Sequence, residues 1–408
     1  MKRSECLVLR SIDKEDRLLQ AALDAWCRRG TSELSARSIG AIAELSPSAI
    51  YYHYDDLEHL YVAAQEHAIA AAGKWCGAQL SAMGTLGTPI PLPPEALGPA
   101  MATLIDSFCE QERRLAFAWR ECQTMATRSS RFLPAQTAWC QLWQDFWRQI
   151  CARFALEDCA DLTYYFFEGE SLLHLMRWNR VADRASLDEM ATGWVGWLTG
   201  QVRQSAPWRR TLKDGARHSV RLMDEPNASG GEIARAAVML LIDGGVGAIT
   251  HRAVAARTNK TLGVVSHNCR RTDDLLRLAY GEIYRTLTGG LSWPPQVNAP
   301  ANIRPLSALP ARSQMLAMDE LILGVARGRA DSDLAQQLRY LRGATSRLAI
   351  ADFIDIDTDA GNLIAAIFSS IMMGALRAMA HLAEKDANSN MTVIRYRLEE
   401  YLKRNRDS

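Results

Sequence analysis

"ELSPSAIYYHYDDLEHL", residues 44–60, decides how the chain is read. A polar turn leads into Ser46 and Pro47, and three tyrosines and a histidine then crowd into positions 51–54. Proline at the first position of a helix loses nothing, because the N–H there has no intrahelical acceptor. Ser46 is therefore read as the N-cap of a short helix. Upstream, a helix over 14–29 is read as ending at Gly30 in a left-handed stop. Ser35 caps a second helix over about 36–43, and Asp56 caps a fourth that runs on through "YVAAQEHAIAAA". Two short helices joined by a tight turn make a helix-turn-helix.

The same arrangement recurs further along. Sliding the chain on itself by 215 residues aligns "AALDAWCRRGTSELSARSIGAIAELSPSAIYYHY", from Ala21, with "AAVMLLIDGGVGAITHRAVAARTNKTLGVVSHNC", from Ala236, without a gap. Gly30 falls on Gly245, Ser35 on Thr250, Arg37 on Arg252, Ile39 on Val254, Ser46 on Thr261, Ile50 on Val265 and Leu60 on Leu275. Apolar positions meet apolar positions and capping positions meet capping positions, which marks an internal duplication. Each copy precedes a Pro/Gly-rich break, residues 84–99 and 289–310, and helical periodicity resumes after each break. The expected plan is 1–75 small helical domain, 76–205 larger helical domain, 206–231 linker, 232–290 second small domain and 291–408 second larger domain. No useful β-alternation interrupts the 3.6-residue period, so the fold class expected is all-α.

A helix entering the major groove must present one face to the protein and one to DNA. In copy one, Arg37, Ser46, Pro47, Ser48, Tyr51, Tyr52 and His53 are the candidate contacts: hydroxyls and imidazole for phosphates or base edges, ring bodies for thymine methyls. Tyr54 is assigned to the core. In copy two the candidates are Arg252, Lys260, Thr261, Gly263, Ser266, His267 and Asn268. Copy two is the more basic, with Arg252, Arg257, Lys260, Arg270 and Arg271 close together, whereas copy one is flanked by Glu44, Asp55, Asp56 and Glu58. Copy two is read either as a charge-assisted DNA reader or as a scaffold that keeps the fold and touches nothing.

The segment Arg17–His67, and "RSIGAIAELSPSAIYYHYDDLEHLY" within it, resembles the DNA-binding domain of the TetR family of transcriptional repressors. Glu232–Tyr284 resembles it more weakly. The resemblance implies a helix-turn-helix domain followed by a helical domain that binds a small effector and dimerises, here twice in one chain. It implies a double-stranded DNA operator, a small-molecule effector, an intramolecular pseudo-dimer and an imperfect palindrome. Further pairing of two tandem chains stays open. Two departures stand out. The family's turn glycine is replaced by Glu44 and Asn259, and glutamate tolerates positive φ poorly, so strain or an altered turn is expected. The lysine that opens the family's fourth helix is replaced by Leu57 and Thr272.

The seam between halves is expected to be a four-helix bundle from 158–179 with 186–204 and 359–383 with 390–404. The first larger domain is rich in tryptophan, and Trp119, Cys122, Trp143, Trp147, Phe166 and His174 are read either as a pocket for a flat, hydrophobic or aromatic effector or as plain core. The poorer aromatic content of the second half suggests that its pocket is lost.

The remaining numbers bound the reading. A chain of 408 residues with 48% hydrophobic content has room for more than one packed core. A net charge of +1 confines any DNA-binding surface to local patches. Nine cysteines form no C-x-x-C pair, so reduced thiols in the cytoplasm, no metal and no cofactor are expected. No uninterrupted apolar run reaches the length of a membrane span. Nucleophile-elbow, Walker, H-E-x-x-H and dinucleotide patterns are missing, so no catalytic residue is assigned. The rival expectation is a regulator of this fold that binds a protein partner and has lost DNA binding.

Overall fold

Alanine, leucine, arginine and glutamine dominate the periodic segments, and each is a good helix former. In the computed structural model every regular element is helical, and no strand occurs among the described residues, which are all except 1, 85–91, 220–227, 288–308, 331, 344–345, 356 and 408. The first Pro/Gly-rich break, the linker and most of the second break thus lie partly outside the described residues.

In chain order the helices are α1 (Lys2–Arg28), α2 (Ala36–Ala43), α3 (Pro47–His53), α4 (Leu57–Gly84), α5 (Leu97–Glu110), α6 (Arg113–Arg128) and α7 (Leu133–Ala152). Then come α8 (Ala160–His174), α9 (Arg180–Thr199), α10 (Pro207–Ser219), α11 (Ala228–Gly244), α12 (His251–Thr258) and α13 (Leu262–Asn268). The chain ends with α14 (Thr272–Leu287), α15 (Ala311–Ala326), α16 (Ser332–Tyr340), α17 (Arg347–Ile350), α18 (Asp359–Ala378) and α19 (Glu384–Asp407).

The chain divides into two compact units, 1–87 with 112–146 and 88–111 with 147–408. These cut across the five segments read from the sequence. In the first unit α1 packs on α2, α4 and α6. Its centre is aromatic: Trp119 and Trp139 stack at 6.1 Å and Trp139 and Trp143 at 6.2 Å. The buried amide of Gln65 holds this stack, accepting from the Trp139 indole at 2.9 Å and donating to the Ala118 carbonyl at 2.8 Å. A buried amide satisfied on both sides avoids the penalty of an unpaired polar group.

In the second unit α11 and α14 pack together with α12 and α13 alongside, and α8 packs along α18. The α8–α18 contact is reciprocal. A Cβ on Gly169 would overlap the carbonyl oxygen of Ser370, and a Cβ on Gly374 would overlap that of Tyr165. Each carbonyl lies one helical turn before its own helix's glycine. Residue i meets j while j's counterpart meets i's, which is the signature of a two-fold contact. α18 is long and apolar enough to cross a membrane by length and composition, with a mean hydropathy of 1.4, and two thirds of that stretch is buried inside the unit.

Two readings of the punctuation are corrected. Gly30 is not a left-handed stop: its φ is −68° and ψ 152°, extended backbone, and it opens a short 3-10 turn over Thr31–Glu33. Its counterpart Gly245 does take positive φ, 72°. Ser46 is extended, but its side chain makes no capping bond to α3; its hydroxyl meets Ser48 Oγ at 2.8 Å instead.

Candidate nucleic-acid interface

The exposed face of α3 is built from its ends. α2 opens on Ser35, whose hydroxyl accepts the Ser38 N–H at 3.2 Å. It closes on Glu44, which sits in the left-handed region at φ 54°, ψ 42°. Of the two expected outcomes, strain or an altered turn, the first is realised: the glutamate adopts the conformation that glycine would take, and the Leu45 N–H still reaches the Gly40 carbonyl at 2.8 Å. Arg17 of α1 supports the turn by donating to the Ala43 carbonyl at 2.6 Å. Ile50, fully buried, then pins α3 with its opposite face outward. Tyr52 is 81% exposed and Tyr51 58%. Ser46, Pro47, Ser48 and, on α2, Arg37 are exposed as well, and His53 is half-buried with its ring 4.9 Å from that of Tyr52. Tyr54 is buried as assigned, 5.5 Å from the ring of His59.

The acidic flank of copy one is partly neutralised. Arg131 donates to Asp56 at 2.9 Å and lies 3.4 Å from Glu58. Asp56 also caps α4 by accepting the His59 N–H at 2.7 Å. The Arg131 hydrogen bond holds the Asp56 carboxyl below its ordinary range.

Copy two repeats this backbone with different side chains. Thr250 caps α12, accepting the Ala253 N–H at 3.1 Å, and Asn259 takes the left-handed turn at φ 54°, ψ 33°. Val265 is fully buried in the place of Ile50. Arg252, Thr261, Gly263, Ser266 and His267 are exposed. Two of the basic residues are engaged within the unit: Lys260 pairs with Glu232 and Arg257 with Asp243, each at 2.7 Å. The Asn268 amide turns back to the Val264 carbonyl at 2.9 Å. Leu262 and Val264, which sequence reasoning passed over, are 52% and 40% exposed on the outer face of α13. Periodicity gave little signal, since Leu262 lies three residues before buried Val265 and would share its face.

Sequence reasoning also missed the contacts that fix α6 against α1. Arg114 pairs with Asp24 at 2.7 Å and donates to the Gln20 carbonyl at 3.0 Å. Buried Glu121 accepts the Thr31 N–H at 2.8 Å. A charged residue at a buried helix position, here Arg120 and Glu121 in "WREC", was the available clue.

The six candidate effector residues are all buried. Trp119, Cys122 and Trp143 belong to the core of the first unit. Trp147 and Phe166 lie in the core of the second, 5.2 Å from Phe167 and 6.2 Å from Trp194 respectively. His174 Nε2 is 2.8 Å from Asp106 Oδ1, and its Nδ1 is 3.2 Å from Arg339 Nη2. A guanidinium can only donate, so Nδ1 accepts and Nε2 carries the proton. Burial pushes the His174 pKa down, in keeping with a neutral ring. None of the six lines the cavity of about 300 Å³ in the second unit, which opens among α8, α15, α16 and α18.

Comparison of the chain with protein-family models and with curated proteins returns no match.

Proposed function

We propose that the chain is a DNA-binding transcriptional regulator that acts as a ligand-responsive repressor. The observation that carries this is α3: a two-turn helix with one buried isoleucine, a left-handed turn before it, and two exposed tyrosines. Rings with hydroxyls suit phosphate and base-edge contact. The backbone of α12–α13 supports a second reader in the same chain. The reciprocal α8–α18 crossing supports an internal pseudo-dimer of the two halves, which would read an imperfect palindrome because α3 and α13 differ.

A specific observation favours a narrower second reading for copy two alone. Its outer face carries Leu262 and Val264, and Lys260 is held by Glu232. That face fits an apolar protein partner as well as thymine methyls.

Nuclease footprinting on the DNA upstream of the chain's own coding sequence tests both. Wild type is compared with Tyr52→Ala and with an Arg252→Ala/His267→Ala double variant. Protection of two unlike half-sites, with each variant losing one, supports two readers. Protection of a true palindrome unaffected by the double variant leaves copy two as a docking or scaffold element. No protected DNA at all sinks the regulator reading.

A further inference from the structure

The cavity in the second unit has chemistry of its own. Its apolar wall is aliphatic: Met315 and Met318 of α15, Met373 and Leu376 of α18 and Leu173 of α8 line it, and no aromatic residue does. Methionine walls adapt to flexible chains, whereas flat rings are better held by other rings. A volume of about 300 Å³ falls at the lower end for small-molecule sites. At a water's share of about 30 Å³, it has room for about ten non-hydrogen atoms.

The wall holds two charges, and both are already answered. Arg342, just past α16, meets buried Glu170 through both Nη atoms, at 2.6 and 2.7 Å, and donates to Ser370 Oγ at 2.9 Å. Arg377 meets buried Asp319 at 2.7 Å. Among the described residues no other charged side chain lines the cavity. An ion entering here would lose its water and find no free counter-charge. Drawing a guanidinium away from its partner would strand a buried carboxylate. One polar group is uncommitted. The Ser369 hydroxyl, half-buried on α18, lines the cavity and makes no hydrogen bond among the described residues. A hydroxyl both donates and accepts, so it matches an oxygen that carries no charge.

We propose that this cavity binds an uncharged, flexible aliphatic molecule with one hydroxyl, a medium-chain alcohol, with its chain along the methionines and its oxygen at Ser369. The occupant is thus neither flat nor aromatic nor ionic. Most of the wall comes from α15, α16 and α18, in the half whose poor aromatic content suggested a lost pocket. Leu173 and Gly169 bring α8 into the wall, so an occupied cavity touches both helices of the α8–α18 crossing. That occupancy releases DNA rests on the regulatory reading; the binding does not.

The test is calorimetric titration of the full chain without DNA at neutral pH, using 1-octanol, octanoate and 2-naphthol. Expected are saturable binding of one octanol per chain, and binding of octanoate and naphthol weaker by about tenfold or more, from an unpaired charge in one case and a rigid ring in the other. Ser369→Ala should weaken octanol binding by about two- to tenfold, the loss of one hydrogen bond. Met373→Trp and Met318→Phe fill the cavity and should abolish octanol binding; two variants are used so that one failing to fold leaves the other. No saturable binding to wild type, or unchanged binding to a folded filled variant, overturns the site. Octanoate binding as tightly as octanol overturns the uncharged assignment, and naphthol binding as tightly overturns the aliphatic one. Unchanged binding to Ser369→Ala overturns the anchor. A chain that binds octanol but protects no DNA sinks the regulatory reading and leaves this one standing.

Discussion

The two small helical groups, α1–α4 and α11–α14, share a backbone and differ in what they turn outward. Both close their second helix on a non-glycine residue at φ 54°, and both pin their third helix with one fully buried β-branched residue. Copy one then offers Tyr51, Tyr52 and His53. Copy two offers Ser266 and His267 beside exposed Leu262 and Val264, and ties Lys260 to Glu232. The lesson is that the turn and the buried pin preserve the motif, while the solvent face changes freely because nothing in the core depends on it.

The largest expected effect tests the symmetry of the halves themselves. Gly374→Leu drives a side chain into the Tyr165 carbonyl and the Gly169 backbone, neither of which can rotate away. The expected loss is at least about 3 kcal/mol in urea unfolding. A loss below about 1 kcal/mol would show that the crossing is loosely packed. Next comes the asymmetry of the outer faces. Under the regulatory reading, Tyr52→Ala should weaken DNA binding by about 1–3 kcal/mol in a gel-shift titration, and His267→Ala by only about a few-fold. Equal losses would erase the distinction between the copies.

A smaller effect sharpens the comparison at the turn. Left-handed backbone costs about 1–2 kcal/mol for an ordinary side chain and less for asparagine, and the flexibility of glycine in the unfolded chain returns part of that gain. Glu44→Gly should therefore raise stability by about 0.5–1 kcal/mol, and Asn259→Gly should be close to neutral. A destabilised Glu44→Gly would mean that the exposed Arg17–Glu44 pair, 3.4 Å apart, outweighs the strain.

The gentlest effect is a slope with pH. His174 has a folded pKa lowered by burial, so the unfolded chain binds the proton first. Its contribution is complete above the unfolded value of about 6.5 and declines as pH falls below it. Asp106 is pushed up by burial but held well below its ordinary range by the His174 and Arg180 hydrogen bonds, so its share persists until far more acid pH. Urea midpoints between pH 7.5 and 5.5 should fall in wild type and fall less in His174→Gln; parallel curves would refute the assignment.

Much of this was legible in the sequence. Ser35, Thr250 and Asp56 cap as read, and the 3.6-residue period marks the helices. Gly30 misled because glycine permits positive φ without requiring it; of the two matched glycines, only Gly245 takes it. Ser46 misled because Ser48 competes for its hydroxyl. The tryptophans left pocket and core both open because residue type does not reveal packing density; the core reading holds, since Trp119, Trp139 and Trp143 pack on one another. The cavity was invisible for a different reason. Its wall joins Leu173 to residues beyond 310, and no local pattern announces a space enclosed by elements so far apart in the chain.

The reciprocal glycines have a consequence for the cell. Two separate subunits must find each other, and their pairing fades as they become scarce. Here α8 and α18 are tied by the same chain, so each meets the other at a fixed effective concentration. Under the regulatory reading, operator occupancy would rise in simple proportion to the number of molecules rather than with its square. A handful of copies would suffice, and neither dilution at cell division nor exchange with a related chain would scramble the pair.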